Sequence, residues 1–308
     1  MIALLLAVLT VPATVHENML FVEARVNGGA PGTFLVDTAA PRTFVDPRLG
    51  VKAESEAELD IGGLDVKVPK IATMDFGSFA TTEDLKLDGV LGMDVLQQFA
   101  VELDFDAALV RFLPAGYEGR GEVVPIRMEK NQPYLRAKLK MPGKPAMTRE
   151  YLLDTGSGGA IVDELFPGLG RSEFFVIGSY RFDGANGIGG GRKIGGELLK
   201  RFNVIADFSR NRIILEPSRH VRDALLFDTS GLELENDARG FRVVEVQPRT
   251  PAAEAGLAIG DIITAIDGSR TLGLTRVRLM FHEVRTHTLT VQRGDGELTI
   301  TLHLRRLR

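Results

Sequence analysis

Two stretches of this chain repeat one another. Phe34-Leu35-Val36-Asp37-Thr38-Ala39 returns 117 positions later as Tyr151-Leu152-Leu153-Asp154-Thr155-Gly156, and a second aspartate follows each copy, at Asp46 and Asp163. A later block repeats with its own constant offset of 103, pairing Gly92 with Gly195, Leu96 with Leu199, Phe99 with Phe202 and Asp104 with Asp207. One Asp-Thr at the end of an apolar strand is usually a turn residue capping local amides. Two sets of positions held in register instead mark a duplicated unit. The chain is thereby constrained to two similar lobes, and both Asp-Thr loops are expected to face each other in one site.

Each unit reads as β-rich. Alternating or continuous apolar runs predict strands at 19–26, 33–37, 64–73, 101–105 and 109–113, then at 134–140, 150–154, 203–207 and 212–216. Short helices fit 93–99 and 196–202, where leucines and a phenylalanine recur at helical spacing. Turns are signalled by Asn27-Gly28-Gly29, Ile61-Gly62-Gly63, Pro142-Gly143 and Ser209-Arg210-Asn211. From the aspartate to the later glycine there are 55 positions in the first unit and 41 in the second. The 14 extra residues fall in 47–88, where Glu54–Lys70 reads as a hairpin placed to fold over the cleft as a flap.

A chain of 308 residues accommodates two or three domains, and 44% hydrophobic with 25% charged residues is ordinary globular composition. A net charge of −4 argues against nucleic acid as a partner. Without cysteine the chain forms no disulfide, zinc ribbon or thiol nucleophile. The five histidines are scattered, so no metal site and no cofactor is expected. Ile2–Leu9 is apolar and Val11-Pro12-Ala13 offers small residues at a cleavage position, so 1–13 reads as a leader for export to a bacterial periplasm or the exterior. It lacks a positive start. The other reading is a buried first strand, which would leave the protein cytoplasmic. The run is too short to span a bilayer, and no later stretch does so.

The paired loops, with Val90-Leu91-Gly92 and Ile194-Gly195 following them, resemble the pepsin-like and retropepsin-like aspartic proteases over most of 19–217. The resemblance implies two pseudo-symmetric β-barrel lobes, 14–117 and 118–220, and one site in one chain. Asp37 and Asp154 would be the catalytic pair and a peptide or protein the substrate. Thr38 and Thr155 would join the two loops, Ala39 and Gly156 would let the backbone approach the carboxylates, and Gly92 and Gly195 would cross behind. The chemistry follows from charge. Two carboxylates about 3 Å apart repel by roughly 5 kcal/mol at an effective dielectric near 20, so they share a proton. One then acts as base toward water and the other as acid toward the scissile carbonyl. The chain departs from the family pattern in three places. Ala39 replaces a glycine, Lys193 stands where a second apolar residue is expected, and no Tyr occurs in 47–88, leaving Phe76 or Phe79 as the covering residue. Asp46, Asp163, Asp104 and Asp207 read as turn or cap residues.

After Pro217 the pattern changes. Gly240–Val246 is a strand, Thr250-Pro251 opens a short helix that Gly256 stops, and Gly260–Gly268 is strand then turn. A helix fits 274–285, and a hairpin fits 288–304 with its turn at Gly294-Asp295-Gly296. This string resembles a bacterial PDZ domain over 225–308, an α+β module that binds a terminal carboxylate and adds a peptide as an extra strand. The resemblance places the peptide-binding loop at Arg239, Gly240, Phe241 and Arg242, with a groove between Phe241–Val246 and the 274–285 helix. His282–His287 has one residue too many for a zinc-binding HExxH, and Gly187–Gly191 lacks the residues of a phosphate loop.

The fold class expected is therefore mainly β, two acid-protease lobes followed by a PDZ-like domain. The function expected is a monomeric aspartic endopeptidase. The alternatives are a catalytically silent peptide-binding scaffold and lobes that pair between chains.

Overall fold

The computed structural model of the chain describes residues 8–76, 85–114, 116–167, 170–223, 225, 229–270, 277, 280–282 and 284–305. The chain forms two compact bodies, the two lobes together through Leu225 and the C-terminal domain from Leu226. The first lobe contains β1 (Leu9–His16), β2 (Met19–Val26), β3 (Pro31–Val36), β4 (Phe44–Val45), β5 (Ala57–Ile61), β6 (Leu64–Val68), β7 (Ala72–Thr73), β8 (Gly89–Leu91), α1 (Met93–Leu96), β9 (Ala100–Asp104) and β10 (Leu109–Leu113). The second contains β11 (Glu122–Glu129), β12 (Gln132–Lys140), β13 (Met147–Leu153), β14 (Ile161–Val162), β15 (Gly170–Arg171), β16 (Phe174–Ile177), β17 (Tyr180–Asp183), β18 (Asn186–Ile188), β19 (Lys193–Ile194), α2 (Gly196–Leu199), β20 (Phe202–Asp207) and β21 (Arg212–Pro217). The fold is mainly β, as expected, with two pseudo-symmetric lobes.

The repeat is visible in the pairing. β3 runs parallel to β8, and β13 runs parallel to β19. β4 pairs parallel with β7 and antiparallel with β8, while β14 pairs likewise with β18 and β19. The lobes join through antiparallel strands in the order β1-β10-β9-β20-β21-β11. At the centre of this sheet Glu102 pairs with Ile205, its own repeat mate 103 residues on. That register places the pseudo-twofold axis between β9 and β20. One apolar core, including Phe34, Leu59, Phe112, Tyr151, Phe175 and Phe202, runs through both lobes. Truncating a fully buried phenylalanine such as Phe34 costs about 3–5 kcal/mol.

The hairpin predicted within Glu54–Lys70 exists as β5 and β6, turning at Gly62-Gly63. It is a core hairpin and not a flap. β5 pairs with β2, and Leu59, Ile61, Leu64, Val66 and Val68 are buried. Period-two alternation puts every second residue inward, so this hairpin has no apolar face to lay over a cleft. Phe76, offered as a covering residue, is itself buried and donates its backbone N–H to Asp46 Oδ2 at 3.0 Å. Phe79 lies outside the described residues. Gly187 is in β18, where a Cβ would lie 2.5 Å from the Phe166 ring. Leu9–Ala13, assigned to a removed segment by the leader reading, are part of β1, and Leu9–Pro12 pair with Leu109–Phe112. No helix among the described residues is long and apolar enough to cross a membrane.

The C-terminal body is a five-stranded sheet ordered β22 (Leu232–Asp237), β23 (Gly240–Val246), β24 (Ile262–Ile266), β25 (Thr286–Arg293) and β26 (Gly296–His303). Helix α3 (Pro251–Glu254) starts at Thr250 with Pro251 in its first turn, as the sequence indicates. Of the helix expected at 274–285, only Val277, Met280, Phe281, His282, Val284 and Arg285 are described, and Val277 and Phe281 are buried in this domain's core.

Candidate active site

Both Asp-Thr loops leave the ends of equivalent strands and are tied down identically. The Asp37 N–H donates to Leu91 C=O at 3.1 Å, and the Asp154 N–H donates to Ile194 C=O at 2.9 Å. The glycine after each of these residues passes directly behind a loop. A Cβ on Gly92 would lie 2.3 Å from Arg42 backbone, and one on Gly195 would lie 2.5 Å from Gly159 C=O and 2.6 Å from Ser157 C=O. Real Cβ atoms do not approach so closely, so both positions require glycine for space. Neither has a positive φ.

The two threonines cross the lobe junction. Thr38 N–H donates to Thr155 Oγ1 at 3.0 Å, and Thr155 N–H donates to Thr38 Oγ1 at 3.2 Å. Each hydroxyl then donates onward to the strand end of the opposite lobe, Thr38 Oγ1 to Leu153 C=O at 2.5 Å and Thr155 Oγ1 to Val36 C=O at 2.7 Å. Both threonines are buried, so every polar group in this crossing depends on the other lobe for its partner. Thr155→Ala is expected to cost about 2–4 kcal/mol in urea unfolding, because it strands the buried Thr38 N–H and Val36 C=O together. Thr155→Ser, which keeps the hydroxyl, should cost under about 1.5 kcal/mol.

Asp37 and Asp154 therefore meet in one chain. Gly156 abuts Asp37 across the junction, where a Cβ would lie 2.4 Å from the carboxyl carbon. Asp37 Oδ1 accepts the Ala39 N–H at 2.7 Å. Burial pushes the Asp37 carboxyl up to about 6, and the charge of Asp154 pushes in the same direction. The N–H groups of Ala39 and Ala40 and the Lys193 ammonium oppose this rise. Ala39 itself is not strained, since its φ is not positive and alanine adopts that backbone freely. Lys193 Nζ lies 2.8 Å from Asp154 Oδ2, a contact that the lysine's place in the sequence did not disclose.

Sequence reasoning also missed a second pair of junction contacts. The two-residue turns Glu17-Asn18 and Lys130-Asn131 have the same φ values, 48° and 63°, and close β1–β2 and β11–β12. Asn18 Nδ2 donates to Gly158 C=O at 2.9 Å, beside the Asp154 loop. Asn131 Nδ2 donates to Pro41 C=O at 2.6 Å, beside the Asp37 loop. The available signal was an Asn immediately before each second strand, since asparagine tolerates the left-handed turn of a tight hairpin. Asp46 caps the short helical turn Pro47–Leu49 and Asp163 accepts the Leu165 N–H, as a turn or cap residue does, and both are also buried and ion-paired. Asp46 is bonded by the Arg48 side chain and N–H, and Asp163 by Arg149 and by Tyr151 Oη at 2.6 Å. The Tyr151 hydroxyl is pushed far above its usual range by burial and then by Asp163.

In the C-terminal domain the four residues expected to form the peptide-binding loop lie at the β22–β23 turn and the start of β23. Strand β23 is paired along its length with β22, and its first residues, Phe241 and Arg242, are paired on the other side with β24. Phe241 is buried in the core, and a Cβ on Gly240 would lie 2.2 Å from Ile263 C=O. Arg239 and Arg242 both pair with Asp237, holding the β22–β23 turn. Within the sheet order, the edge open to an added strand on this side is that of β22. The motif marked the domain, and strand order, which decides the open edge, is not written in local sequence.

Comparisons with known proteins bear on the C-terminal domain most directly. Residues 230–304 match the family model of the PDZ domain, and this body is a PDZ domain. Serine protease HTRA1 of Xenopus laevis is 33% identical over 70 residues, which is 23% of this chain, and the chain spans only 15% of that relative's length. Among solved structures, the HtrA3 PDZ domain bound to a phage-derived ligand (FGRWV) is 21% identical, covering 24% of this chain and 81% of that one at a TM-score of 0.23. The aspartic proteinase from Irpex lacteus is 14% identical, covering 71% of this chain and all of that one at a TM-score of 0.48.

Proposed function

We propose that the two lobes form a single-chain aspartic endopeptidase and that the PDZ domain captures an extended peptide of a substrate or partner. The observation that carries this reading is the threonine crossing, which brings two carboxylates from equivalent loops into one electrostatically coupled site. With one shared proton, the ionised member takes a proton from water as its oxygen bonds to the scissile carbon, and the protonated member gives its proton to the carbonyl oxygen. The proton just gained then passes to the amide nitrogen as the C–N bond breaks. The diol returns a proton to the other carboxylate, and the pair ends with one proton as it began.

The test is incubation of the full chain with an unfolded protein between pH 4 and 7, with new termini read by mass spectrometry. New termini support the assignment, and their absence across that range overturns it in favour of a silent peptide-binding scaffold. For the PDZ domain, a peptide with a free C-terminal carboxylate is expected to shift the amide resonances of Leu232–Asp237 in the full chain and to leave those of β24 unmoved. Shifts confined to Arg239–Arg242 would restore the other edge.

A further inference from the structure

Lys193 is a residue by which the second lobe departs from the first. The repeat mate in lobe one is Val90, a buried apolar residue. β19 places Lys193 opposite Leu152 on β13 and Val162 on β14, and Ile194 opposite Leu153 and Ile161, so the paired rungs around it are apolar. The neighbouring cation, Arg192, just before this strand, lines a surface hollow with Arg136, Arg149 and Glu150. The Lys193 ammonium instead reaches the dyad, 2.8 Å from Asp154 Oδ2. Asp154 is almost fully buried and the lysine side chain is 43% exposed, so the cation enters from solvent onto a sequestered carboxylate. Among the described residues, Asp37, on the other side, makes no ion pair of this kind. Its carboxylate accepts Ala39 N–H, and the charges acting on it are Asp154 and Lys193.

We infer that Lys193 is a positioning residue that makes the two aspartates unequal, holding Asp154 as the carboxylate and leaving the shared proton on Asp37. An ammonium at hydrogen-bond distance favours the ionised form of the group it touches, and two adjacent carboxylates cannot both be ionised cheaply. Charge balance then leaves Asp37 as the member that retains the proton, in agreement with its upward shift. This rests on the proposed catalytic reading and gives each member one role. Asp154 receives the proton of the attacking water as the new C–O bond forms, and Asp37 supplies the proton that goes to the carbonyl oxygen. In the second half the transfers reverse, with Asp154 giving its proton to the departing nitrogen. A dyad with apolar residues at both places, as Val90 is in lobe one, would have no such bias.

The experiment is a pH titration of the aspartate side-chain carboxyl carbons by 13C NMR in the full chain, for wild type, Lys193→Met, Lys193→Arg and Asp154→Asn. In wild type the Asp37 signal is expected to titrate near pH 6. Lys193→Met should move the pair's upper midpoint upward by on the order of 0.5–1 pH unit, because a cation that opposed protonation is gone. Lys193→Arg should restore it, and Asp154→Asn should lower it by removing the negative charge. The inference is overturned if Lys193→Met superposes on wild type, or if Asp154 is the signal that titrates near 6. Should Lys193→Met fail to fold, Lys193→Val takes the residue already tolerated at position 90, and Lys193→Gln keeps the polarity. Peptide cleavage is measured on the same samples. Titrations as described without turnover in any sample would withdraw the protease reading and leave the ion-pair assignment standing. Turnover with unchanged titrations would do the opposite.

Discussion

Replacing Asp37 or Asp154 with asparagine is expected to reduce kcat/KM for peptide cleavage by roughly a thousandfold or more, because each change removes one end of the proton shuttle. The two losses should not add in the double variant, since the pair works as a unit. Wild-type cleavage should fall as pH rises through about 6, where Asp37 gives up the proton that the reaction needs. Activity within tenfold of wild type in either variant would remove the dyad from the mechanism.

The same substitution has an opposite consequence for folding. The folded-state value of Asp37 lies above its ordinary 3.8, so the fold holds a proton there that the unfolded chain releases. Its favourable contribution is therefore complete below pH 3.8 and is lost as pH rises through about 6. Ionising Asp37 in place costs about 1–3 kcal/mol by neutral pH. Asp37→Asn should thus be more stable than wild type at pH 7.5, with the advantage shrinking toward pH 4. Chemical denaturation at both values measures this directly. A catalytic pair that weakens its own fold is the expected trade between stability and function.

Gly156→Ala is expected to lower cleavage about a hundredfold. The added methyl would sit 2.4 Å from the carboxyl carbon of Asp37 and 2.5 Å from its Oδ2, so the carboxylate must move. Asp37 is held by the Ala39 N–H on its other side, which turns that movement into misalignment with Asp154. A displacement near 1 Å costs about this much in rate. The reciprocal change, Ala39→Gly, should leave turnover within threefold and cost about 0.5–1 kcal/mol in thermal stability, through the larger entropy of the unfolded glycine chain. Equal losses in the two variants would mean that the lobes place the same demand on this position. The asymmetry of the triplets, Asp-Thr-Ala against Asp-Thr-Gly, then reflects which carboxylate is crowded rather than whether the site works.

Much of this was legible in the residues. The offsets of 117 and 103 located both aspartates, both threonines and both crossing glycines, and all six occupy matching places in the two lobes. Repeated strings survive in sequence because each lobe needs the same local geometry at the same point. Strands with a clear period of two were also readable, and β2, β9, β10, β20 and β21 lie within a residue or so of where the pattern puts them. The β5–β6 hairpin was found, but its role was misassigned. Alternation tells which residues face inward, and it does not tell which sheet lies there. The open edge of the PDZ sheet is hidden for the same reason, since a strand reads alike whether one or both of its sides are paired.

Ala39 and Lys193 mark the division more sharply. Both are single departures from an otherwise repeated pattern, visible at once in the chain and uninterpretable there. The sequence by itself determined that there are two lobes, that each contributes one Asp-Thr loop, and that a PDZ module follows, because these depend on short-range patterns and on register. Only the tertiary structure decided that Ala39 sits unstrained, that Gly156 presses on Asp37, and that the half-exposed Lys193 reaches Asp154. Those outcomes depend on distances between atoms far apart in the chain, and a pattern of residue types along one dimension does not contain them.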